Sequence, residues 1–474
     1  MSVTEKRLEF NNLEKEIFTL LCRIGCWILR MALEQYDLEL ARGRDKSMYR
    51  HKGSRKTVVK TIMGEVEYSR AVYEVRRDDG TKCHVYLLDE AMGTGGSGHM
   101  SATLSALVVN ASCEGTYRAA ARQVSEMTGQ TISHTASWMV VQDVGGRVGL
   151  EEERAARAAA KNDGGGRLEV PVLFEEMDGI HLKLQGKSRK EHGKSREMKL
   201  AIAYGGAREV SPKRHELVGK VACAGFLPVD EFMGRKEGVI AGTYNTDEIE
   251  MRLLNGDGAA WIRNAVTDES VHFQLDAYHM NKAIKKYVRD SDMREMITEL
   301  LYEKKIDEML RCIIIMADSV EDDGERDGLM ELHKYFSNNK DGLIPCHRRG
   351  LGIPPPPGGL EYRRMGAMEG NVFTIIGNRM KGRRSCWSTD GANNLARLLC
   401  LKHTGRLEDA LQRLAPAVLP ERYAEEIITG LSAAKVALSA GKGYDFCHAA
   451  AVPATPDFKW LRDMGSRKLV SGAW

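Results

Sequence analysis

The sequence predicts a protein of the α/β class, with a mixed sheet packed by helices after a helical and β-rich N-terminal region. Two observations predict this. Residues 1–40 place apolar side chains three and four positions apart, the spacing of an amphipathic helix. From residue 163 onwards, strand-like apolar runs alternate with helical patterns, an order typical of a sheet covered by helices.

Two shorter segments come between these regions. The runs "KTVVKTIMGEVEYSRAVYEV" and "KCHVYLLDE" are β-rich, with "DDG" as a hairpin turn, and "GTGGSGH" marks a flexible boundary. In "TYRAAARQVSEMTGQTISHTASWMVVQ", Gly129 ends one short helix and Ser133 caps a second, which is a helix-turn-helix pattern. Such a pair either binds DNA or is an ordinary helical hairpin. Its outward, groove-facing residues would be His134, Thr135, Ser137, Trp138 and Gln142.

Length and composition set the frame for these segments. The 474 residues suit several domains, and 43% hydrophobic with 28% charged residues is typical of a globular protein with sizeable cores. No apolar run would span a bilayer, and the charged N-terminus is not a signal peptide. Ten cysteines without paired spacing predict a reduced, intracellular protein. Cys22 and Cys26 fit a core helix better than a metal site, because no further ligands lie nearby.

Five parts are predicted along the chain. They are an N-terminal helix with a β-rich domain over 1–97, a helix-turn-helix domain over 98–162, an α/β core over 163–289 and 361–410, a helical insertion over 290–360, and a helical region over 411–474. The net charge of +3 does not by itself indicate nucleic acid, but basic residues cluster. Each cluster alone would be a solvated loop, whereas four together favour a polyanionic partner. The clusters are 42–56, 186–196, 346–350 and 378–384.

Three acids have an unusual setting. Asp178 lies inside the apolar run "FEEMDGIHLKL", where a carboxylate is costly unless it is paired or binds a metal. Asp257 in "GDG" follows the predicted fourth strand, and Glu369 lies on a helix after the stiff "PPPPGG" loop. Sites of open α/β sheets form at strand ends, and hard divalent cations would relieve the repulsion between converging carboxylates. Taken singly, Asp257 would be a turn or N-cap residue and Glu369 a surface charge.

Other acids compete for these roles. Glu176 shares a strand face with Asp178 and would be a helper or a competing ligand. Asp276 is an alternative second acid and also an N-cap candidate, and Asp390 is an alternative third acid.

The order of four segments resembles bacterial insertion-sequence transposases of the ISLre type and, more distantly, the Mutator-like transposases. The segments are "MDGIHLKL", "GDGAAWI", "LDAYHMNKAI" and "MEGNVFTIIGNRMKGRRSCWS", and the likeness runs from "TIMGEVEYSRAVY" to about residue 405. It implies a DDE transposase with a ribonuclease-H-like core and a helical insertion. Asp178, Asp257 and Glu369 would be its catalytic acids and would hold two Mg²⁺ (or Mn²⁺) ions per active site. Asp276 and His279 would match a supporting Asp-x-x-His motif.

The same resemblance implies cleavage at the element ends, followed by attack of the freed 3′-hydroxyl on target DNA. The partner would be double-stranded DNA, bound by a homodimer or larger assembly in the bacterial cytoplasm near the nucleoid, without a membrane. We expect Trp387 in the core rather than on a base. Phosphate contacts would come from Lys187, Arg189, Lys190, Arg379, Lys381, Arg383 and Arg384.

Three alternatives remain at the level of sequence. One is a non-catalytic, degenerate or domesticated transposase that keeps only the DNA-binding helices. Another is a different ribonuclease-H-like nuclease that acts on RNA or branched DNA. The third is an α/β scaffold in which the acids occur by chance.

Overall fold

A computed structural model describes residues 10–77, 80–92, 100–382 and 384–414. The chain forms two compact units. The first contains Met1–Trp27, Val58–Glu67 and Thr94–Ala415, and the second contains Ile28–Thr57 and Tyr68–Gly93. The predicted N-terminal helix is one 34-residue helix, α1 (Phe10–Gly43), which contributes residues to both units. Within the described ranges, no helix combines the length and apolarity that crossing a membrane requires.

The β-rich segment predicted after α1 forms a three-stranded sheet. Its strands, in sheet order, are β1 (Arg50–Lys60), β2 (Glu65–Arg76) and β3 (Lys82–Val85), and α2 (Leu87–Met92) follows. In the second unit, the buried Asp37 carboxylate accepts a hydrogen bond from the Ala71 backbone N–H at 2.9 Å. Asp78 and Asp79 of the predicted hairpin turn and the "GTGGSGH" boundary lie outside the described residues.

Three helices follow: α3 (Ala102–Glu114), α4 (Tyr117–Thr128) and α5 (His134–Ala159). Gly129 ends α4 with φ +66°, and the Ser133 hydroxyl accepts a hydrogen bond from the Ala136 N–H, as predicted. The second helix continues past Gln142, where the quoted helix-turn-helix segment ends, and runs through a charged segment to Ala159. Gly145 lies against the backbone of Asn394, so tertiary packing stabilises α5 at a point where its glycines weaken it.

The predicted mixed sheet is present and has five strands. In sheet order they are β10 (Val271–Leu275), β9 (Met251–Gly256), β4 (Val172–Lys183), β5 (Ser195–Tyr204) and β8 (Val221–Gly225). β4 lies at the centre, pairs antiparallel with β5 and parallel with β9, and β10 is parallel to β9. Two further strands follow β5 as a separate hairpin, β6 (Gly206–Ser211) paired with β7 (Arg214–Val218), before β8 (Val221–Gly225) rejoins the sheet. The elements are β4 (Val172–Lys183), α6 (Gly186–His192), β5 (Ser195–Tyr204), β6 (Gly206–Ser211), β7 (Arg214–Val218), β8 (Val221–Gly225), α7 (Val229–Ala241), β9 (Met251–Gly256), α8 (Ala260–Arg263), β10 (Val271–Leu275) and α9 (Ala277–Tyr287).

Helices cover both faces of this sheet. One face packs against α3, α4 and α5 and the helices after residue 367, and the other packs against α7, α8, α9 and the insertion. The insertion is helical, as predicted: α10 (Ser291–Tyr302), α11 (Ile306–Ser319) and α12 (Asp323–Asn338). The helix expected from residue 361 starts only at α13 (Met368–Asn371), and it continues as a π-helix (Val372–Gly377) and α14 (Asn378–Met380). The last described helices are α15 (Thr389–His403) and α16 (Leu407–Leu414), so most of the helical region predicted over 411–474 lies outside the described residues.

Neighbouring glycines in α5 test how this helix packs. A Cβ at Gly145 would lie 2.5 Å from the Asn394 carbonyl oxygen, whereas no atom lies within 4 Å of a Cβ at Gly146. We expect Gly145→Ala to lower the free energy of unfolding by about 1–3 kcal/mol. Gly146→Ala should raise it by up to about 1 kcal/mol through helix propensity. Chemical denaturation measures both, and equal effects would contradict the close contact of α5 with Asn394.

Candidate functional site

Three neighbouring parallel strands deliver an acid to the same edge of the sheet. The paired residues Met177, Gly256 and Leu275 lie side by side in β4, β9 and β10. The next residue in each chain segment is an aspartate: Asp178, Asp257 and Asp276. Side chains in a strand alternate between faces, so the residues two positions earlier form a second row on the same face. That row is Glu176, Asn255 and Gln274.

Asp178, Asp257 and His279 form the centre of the site. One ligand atom from each lies within 4.8 Å of the other two. An Asp178 oxygen accepts a hydrogen bond from the Gly179 N–H at 2.7 Å, and an Asp257 oxygen accepts one from the Ala259 N–H at 2.9 Å. The pKa of Asp178 is raised to about 6, mainly by burial. The Gly179 N–H and His279 oppose this rise, and the Asp257 and Glu369 carboxylates add to it.

The basic side chain that meets the two aspartates at the centre is His279. Among the described residues, no lysine or arginine forms an ion pair with Asp178 or Asp257. The buried acid Glu175 shows the contrast, since it pairs with Lys236 and lies 2.7 Å from the Arg252 Nε. Two close carboxylates without a cation repel one another, and hard divalent cations bind such oxygen pairs. The arrangement therefore suits a metal ion.

Asp276 serves His279 rather than the centre. The Asp276 carboxylate is buried and caps α9 by accepting a hydrogen bond from the His279 N–H at 3.1 Å, as the N-cap reading predicts. It also lies 3.2 Å from the His279 Nδ1. This hydrogen bond raises the pKa of His279. Because Nδ1 is engaged, Nε2 is the nitrogen that can serve the cluster. His279, which we predicted only to support the core or the DNA, thus reaches the centre itself.

Glu176 is the most densely hydrogen-bonded acid of the site. Its side chain is fully buried, and burial raises its pKa against the effect of its hydrogen bonds. It neither faces solvent nor joins the metal-capable cluster among the described residues, so of its two predicted roles the helper role fits. Its donors are the Tyr204 hydroxyl at 2.7 Å, the Asn255 amide at 3.1 Å, and the backbone N–H groups of Gly366 at 3.0 Å, Ala367 at 3.1 Å and Met368 at 3.2 Å.

The hydrogen bonds that Glu176 accepts, together called the Glu176 cradle, fix the start of the helix that carries Glu369. The three backbone donors come from the residues immediately before Glu369, and Glu176 is two residues before Asp178 on β4. The Glu369 side chain is exposed, and its charge raises the pKa of Asp178. Glu369 is not among the three side chains whose ligand atoms lie within 4.8 Å of one another, so only its charge reaches Asp178 in this structure. Asp390, the alternative third acid, is exposed in the first turn of α15 and does not belong to the cluster.

The predicted DNA-contacting residues of the helix pair are only partly outward. His134, Thr135 and Trp138 are exposed near the start of α5. The outward placement of Ser137 is wrong, because its side chain is fully buried on the face that carries Val140 and Val144. Gln142 is half-buried and accepts a hydrogen bond from Asn394 at 2.9 Å. The neighbouring Met139 is exposed as well.

The predicted phosphate-contacting residues also divide. Arg379 departs from its predicted surface role, because it is half-buried and its Nε donates to the Ser112 carbonyl at 2.7 Å. Trp387 is buried and donates to the Met380 carbonyl at 2.8 Å, so the predicted core position is confirmed. Arg383 lies outside the described residues. The exposed members are Lys187, Arg189 and Lys190 on α6, and Lys381 and Arg384 after α14.

Comparison with known proteins assigns the chain to a family. The profile described as "Uncharacterised protein family (UPF0236)" matches residues 3–413. The chain belongs to the UPF0236 family. A UPF0236 protein of Caldanaerobacter subterraneus subsp. tengcongensis is 23% identical over 409 residues, which cover 84% of this chain and 79% of the relative. One described as "in vanSb 3'region" in Streptococcus gallolyticus is 23% identical and covers 85% of each chain.

Two further findings complete the comparison. Another Caldanaerobacter relative, 21% identical over 404 residues, carries a name that joins eleven gene designations of one strain. The solved structure described as "Drosophila P element transposase strand transfer complex" aligns with 77% of this UPF0236 chain and 92% of its own. Its sequence identity is 10% and its TM-score is 0.20, which is too low to carry an argument about fold or function.

Sequence reasoning about this UPF0236 chain missed several polar residues that support the acids of the site. Asn255, Gln274 and Tyr204 were not singled out, although Asn255 links Glu176 to Asp276 and accepts from Gln274 at 3.3 Å. A signal was present in the sequence. Where the parallel pairing of β4 ends, and at the ends of β9 and β10, the sequence reads polar residue, any residue, aspartate: "EMD", "NGD" and "QLD". Polar residues repeated at period two in otherwise apolar strands indicate a row that must be satisfied inside the fold.

Replacing the acceptor of the cradle tests its role. Glu176→Gln keeps the shape but puts an amide donor where backbone N–H groups now find an oxygen. We expect it to lower the free energy of unfolding by about 2–4 kcal/mol. The matched change Glu169→Gln, at an exposed acid before β4, should stay within about 0.5 kcal/mol of wild type. Thermal and chemical unfolding would measure both, and a Glu176→Gln protein as stable as the control would contradict the cradle.

Proposed function

We propose that this chain is a DDE transposase of a bacterial insertion sequence, which cleaves DNA at the element ends and joins them to target DNA. The observation that carries the proposal is the meeting of Asp178, Asp257 and His279, whose ligand atoms lie within 4.8 Å of one another. Its core would be ribonuclease-H-like. The central position of β4, with the fourth core strand β9 parallel beside it, supports that interpretation, since the resemblance puts the first two acids on these strands.

The relatives add an independent argument. A single name that joins eleven gene designations of one strain describes a protein encoded at many loci of one genome. An insertion sequence that copies itself leaves such a trace, whereas a housekeeping enzyme is rarely encoded so often. The proposal places this chain with bacterial DNA in the cytoplasm, near the nucleoid.

The donor set fits Mg²⁺ or Mn²⁺. Carboxylate oxygens from Asp178 and Asp257 would hold one ion, and Glu369 would complete the second position. When bound, two such ions activate an attacking oxygen and stabilise a leaving one in phosphodiester cleavage. Glu176 would keep the Glu369 helix in place throughout. His279, oriented through Nδ1 by Asp276, would donate from Nε2 to a non-bridging phosphate oxygen.

DNA binding would use surfaces away from this centre. The exposed His134, Thr135 and Trp138 lie in the first turns of α5, where a second helix of a helix-turn-helix contacts base edges. The exposed basic residues of α6 and of the segment after α14 would contact phosphates. A non-catalytic DNA-binding protein would keep these surfaces but would have no reason to keep two acids and a histidine together in a cluster that suits a metal ion.

A cleavage and joining assay tests the chemistry. Wild-type protein with a supercoiled plasmid carrying the DNA that flanks its gene should give nicked, excised or joined products with Mg²⁺ or Mn²⁺. Asp178→Asn removes one ligand and should lower the rate by at least about 100-fold. The control Asp247→Asn makes the same change at an exposed acid and should react like wild type. Joined products would separate a transposase from another nuclease.

A stability measurement separates loss of metal from loss of fold. Asp178→Asn removes one member of a repelling pair, so the metal-free variant should be at least as stable as wild type. Mn²⁺ should raise the unfolding temperature of wild type and of Asp247→Asn, but should raise that of Asp178→Asn much less.

The cleavage assay has two outcomes that would contradict the proposal. Equal amounts of product from wild type and Asp178→Asn would mean a contaminating nuclease or a misplaced first acid. End binding without products would favour the non-catalytic alternative.

Truncation on α5 tests the DNA-binding surface. Trp138→Ala removes a large exposed side chain from the proposed recognition face and should weaken binding to the element end about tenfold. Leu150→Ala removes an exposed side chain further along the same helix and should leave the affinity unchanged. Fluorescence anisotropy at one fixed salt concentration measures both. An equal loss of affinity in both variants, or no loss in either, would mean that another surface recognises the DNA.

A further inference from the structure

The N-terminal helix exposes a continuous apolar stripe. In the first unit, one side of α1 packs on its own chain, where Gly25 contacts the Met63 side chain and Cys26 contacts Gly64. The opposite side is open to solvent. Its large apolar residues have between 43% and 77% of their surface exposed, which is far more than a globular core would leave. They are Phe10, Ile17, Leu21, Ile24 and Trp27 in the first unit, and Met31 and Leu38 on the remainder of the helix in the second. Phe18 is also exposed but lies off this stripe, and together with Ile17 and Leu21 it lines a groove whose other wall is formed by residues 63–65 and 126–130.

These residues repeat with the period of a coiled coil. Phe10, Ile17, Ile24, Met31 and Leu38 are each seven positions apart. Leu13, Leu20 and Trp27 follow the first three of them by three positions, so that the helix carries apolar residues at both seam positions of successive heptads. A helix that packs only on its own globular domain follows a period of 3.6 and turns its stripe inwards. A strict seven-residue repeat on the outer side indicates a second helix of the same kind.

The area of the stripe matches what a stable pair buries. Its exposed apolar side chains offer roughly 800 Å² per copy, which is the share that each partner contributes to an interface of standard size. We propose that α1 pairs with α1 of a second copy of this chain, through the stripe from Phe10 to Leu38. The occupant is a second copy because a heptad seam is complementary to itself. The proposal does not depend on the chemistry proposed for the acids.

Light scattering after size exclusion measures the assembly of the full chain. Wild type at about 10 µM should have twice the mass of one chain. Ile17→Glu with Ile24→Glu puts charges into the seam and should weaken association more than about 100-fold, so that the mass falls to that of one chain. The control Asn12→Glu with Thr19→Glu adds the same charges at the same seven-residue spacing, on polar exposed positions, and should remain a dimer.

Three results would overturn the proposal. A monomeric wild type would mean that something else, such as residues 415–474 of the same chain, covers the stripe. A dimer that survives the two glutamates at 17 and 24 would use another surface. Dissociation of the control pair to the same degree would mean that added charge, not the seam, is responsible. Circular dichroism checks that each variant folds, and Ile17→Ser with Ile24→Ser replaces the glutamate pair if it does not.

Discussion

The geometry of the site depends on one buried carboxylate, Glu176. Five donors from three separated parts of the chain converge on it: a hydroxyl from β5, an amide from β9 and three backbone N–H groups that precede Glu369. A buried acid without such partners costs several kcal/mol, and three backbone donors without an acceptor cost as much again. Neither side is stable without the other. The strand that carries Asp178 and the helix that carries Glu369 are therefore fixed to each other before any ligand binds.

The two polar rows on β4, β9 and β10 differ in how far other residues satisfy their polar groups. In the inner row, Glu176, Asn255 and Gln274 satisfy one another and the neighbouring backbone. In the outer row, Asp276 is satisfied by Asn255 and His279, whereas Asp178 and Asp257 accept hydrogen bonds from the nearby Gly179 and Ala259 N–H groups and meet His279. Two adjacent acids cost the fold stability, since burial and, to a smaller degree, the neighbouring Asp257 raise the pKa of Asp178. Such a pair is expected where a cation is to be bound.

Local patterns predicted the parts of this site that depend on one segment at a time. Asp178 within a strand, Asp257 just beyond one and the Asp276 cap follow from period, glycine and capping rules. The failures all involve contacts between distant segments. Ser137 is buried because α5 packs along its whole length, and the Glu369 helix starts seven residues late because residues 366–368 bind Glu176 instead of extending it. Rules that use only neighbouring residues in the sequence cannot predict the contact of α5 with Asn394 or that of residues 366–368 with Glu176.

The acidic site and the apolar stripe on α1 would have different roles, one in chemistry and the other in association. Asp178, Asp257 and His279 all come from one chain, so a second copy is not required to bring these three side chains together. Association through α1 would instead set how many centres act together. A reaction that must treat two DNA ends in concert needs two centres held at a fixed separation, and a long self-pairing helix supplies that with a surface that takes no part in the chemistry. The sequence of α1 can therefore be selected for its seam without disturbing the strands that carry the acids.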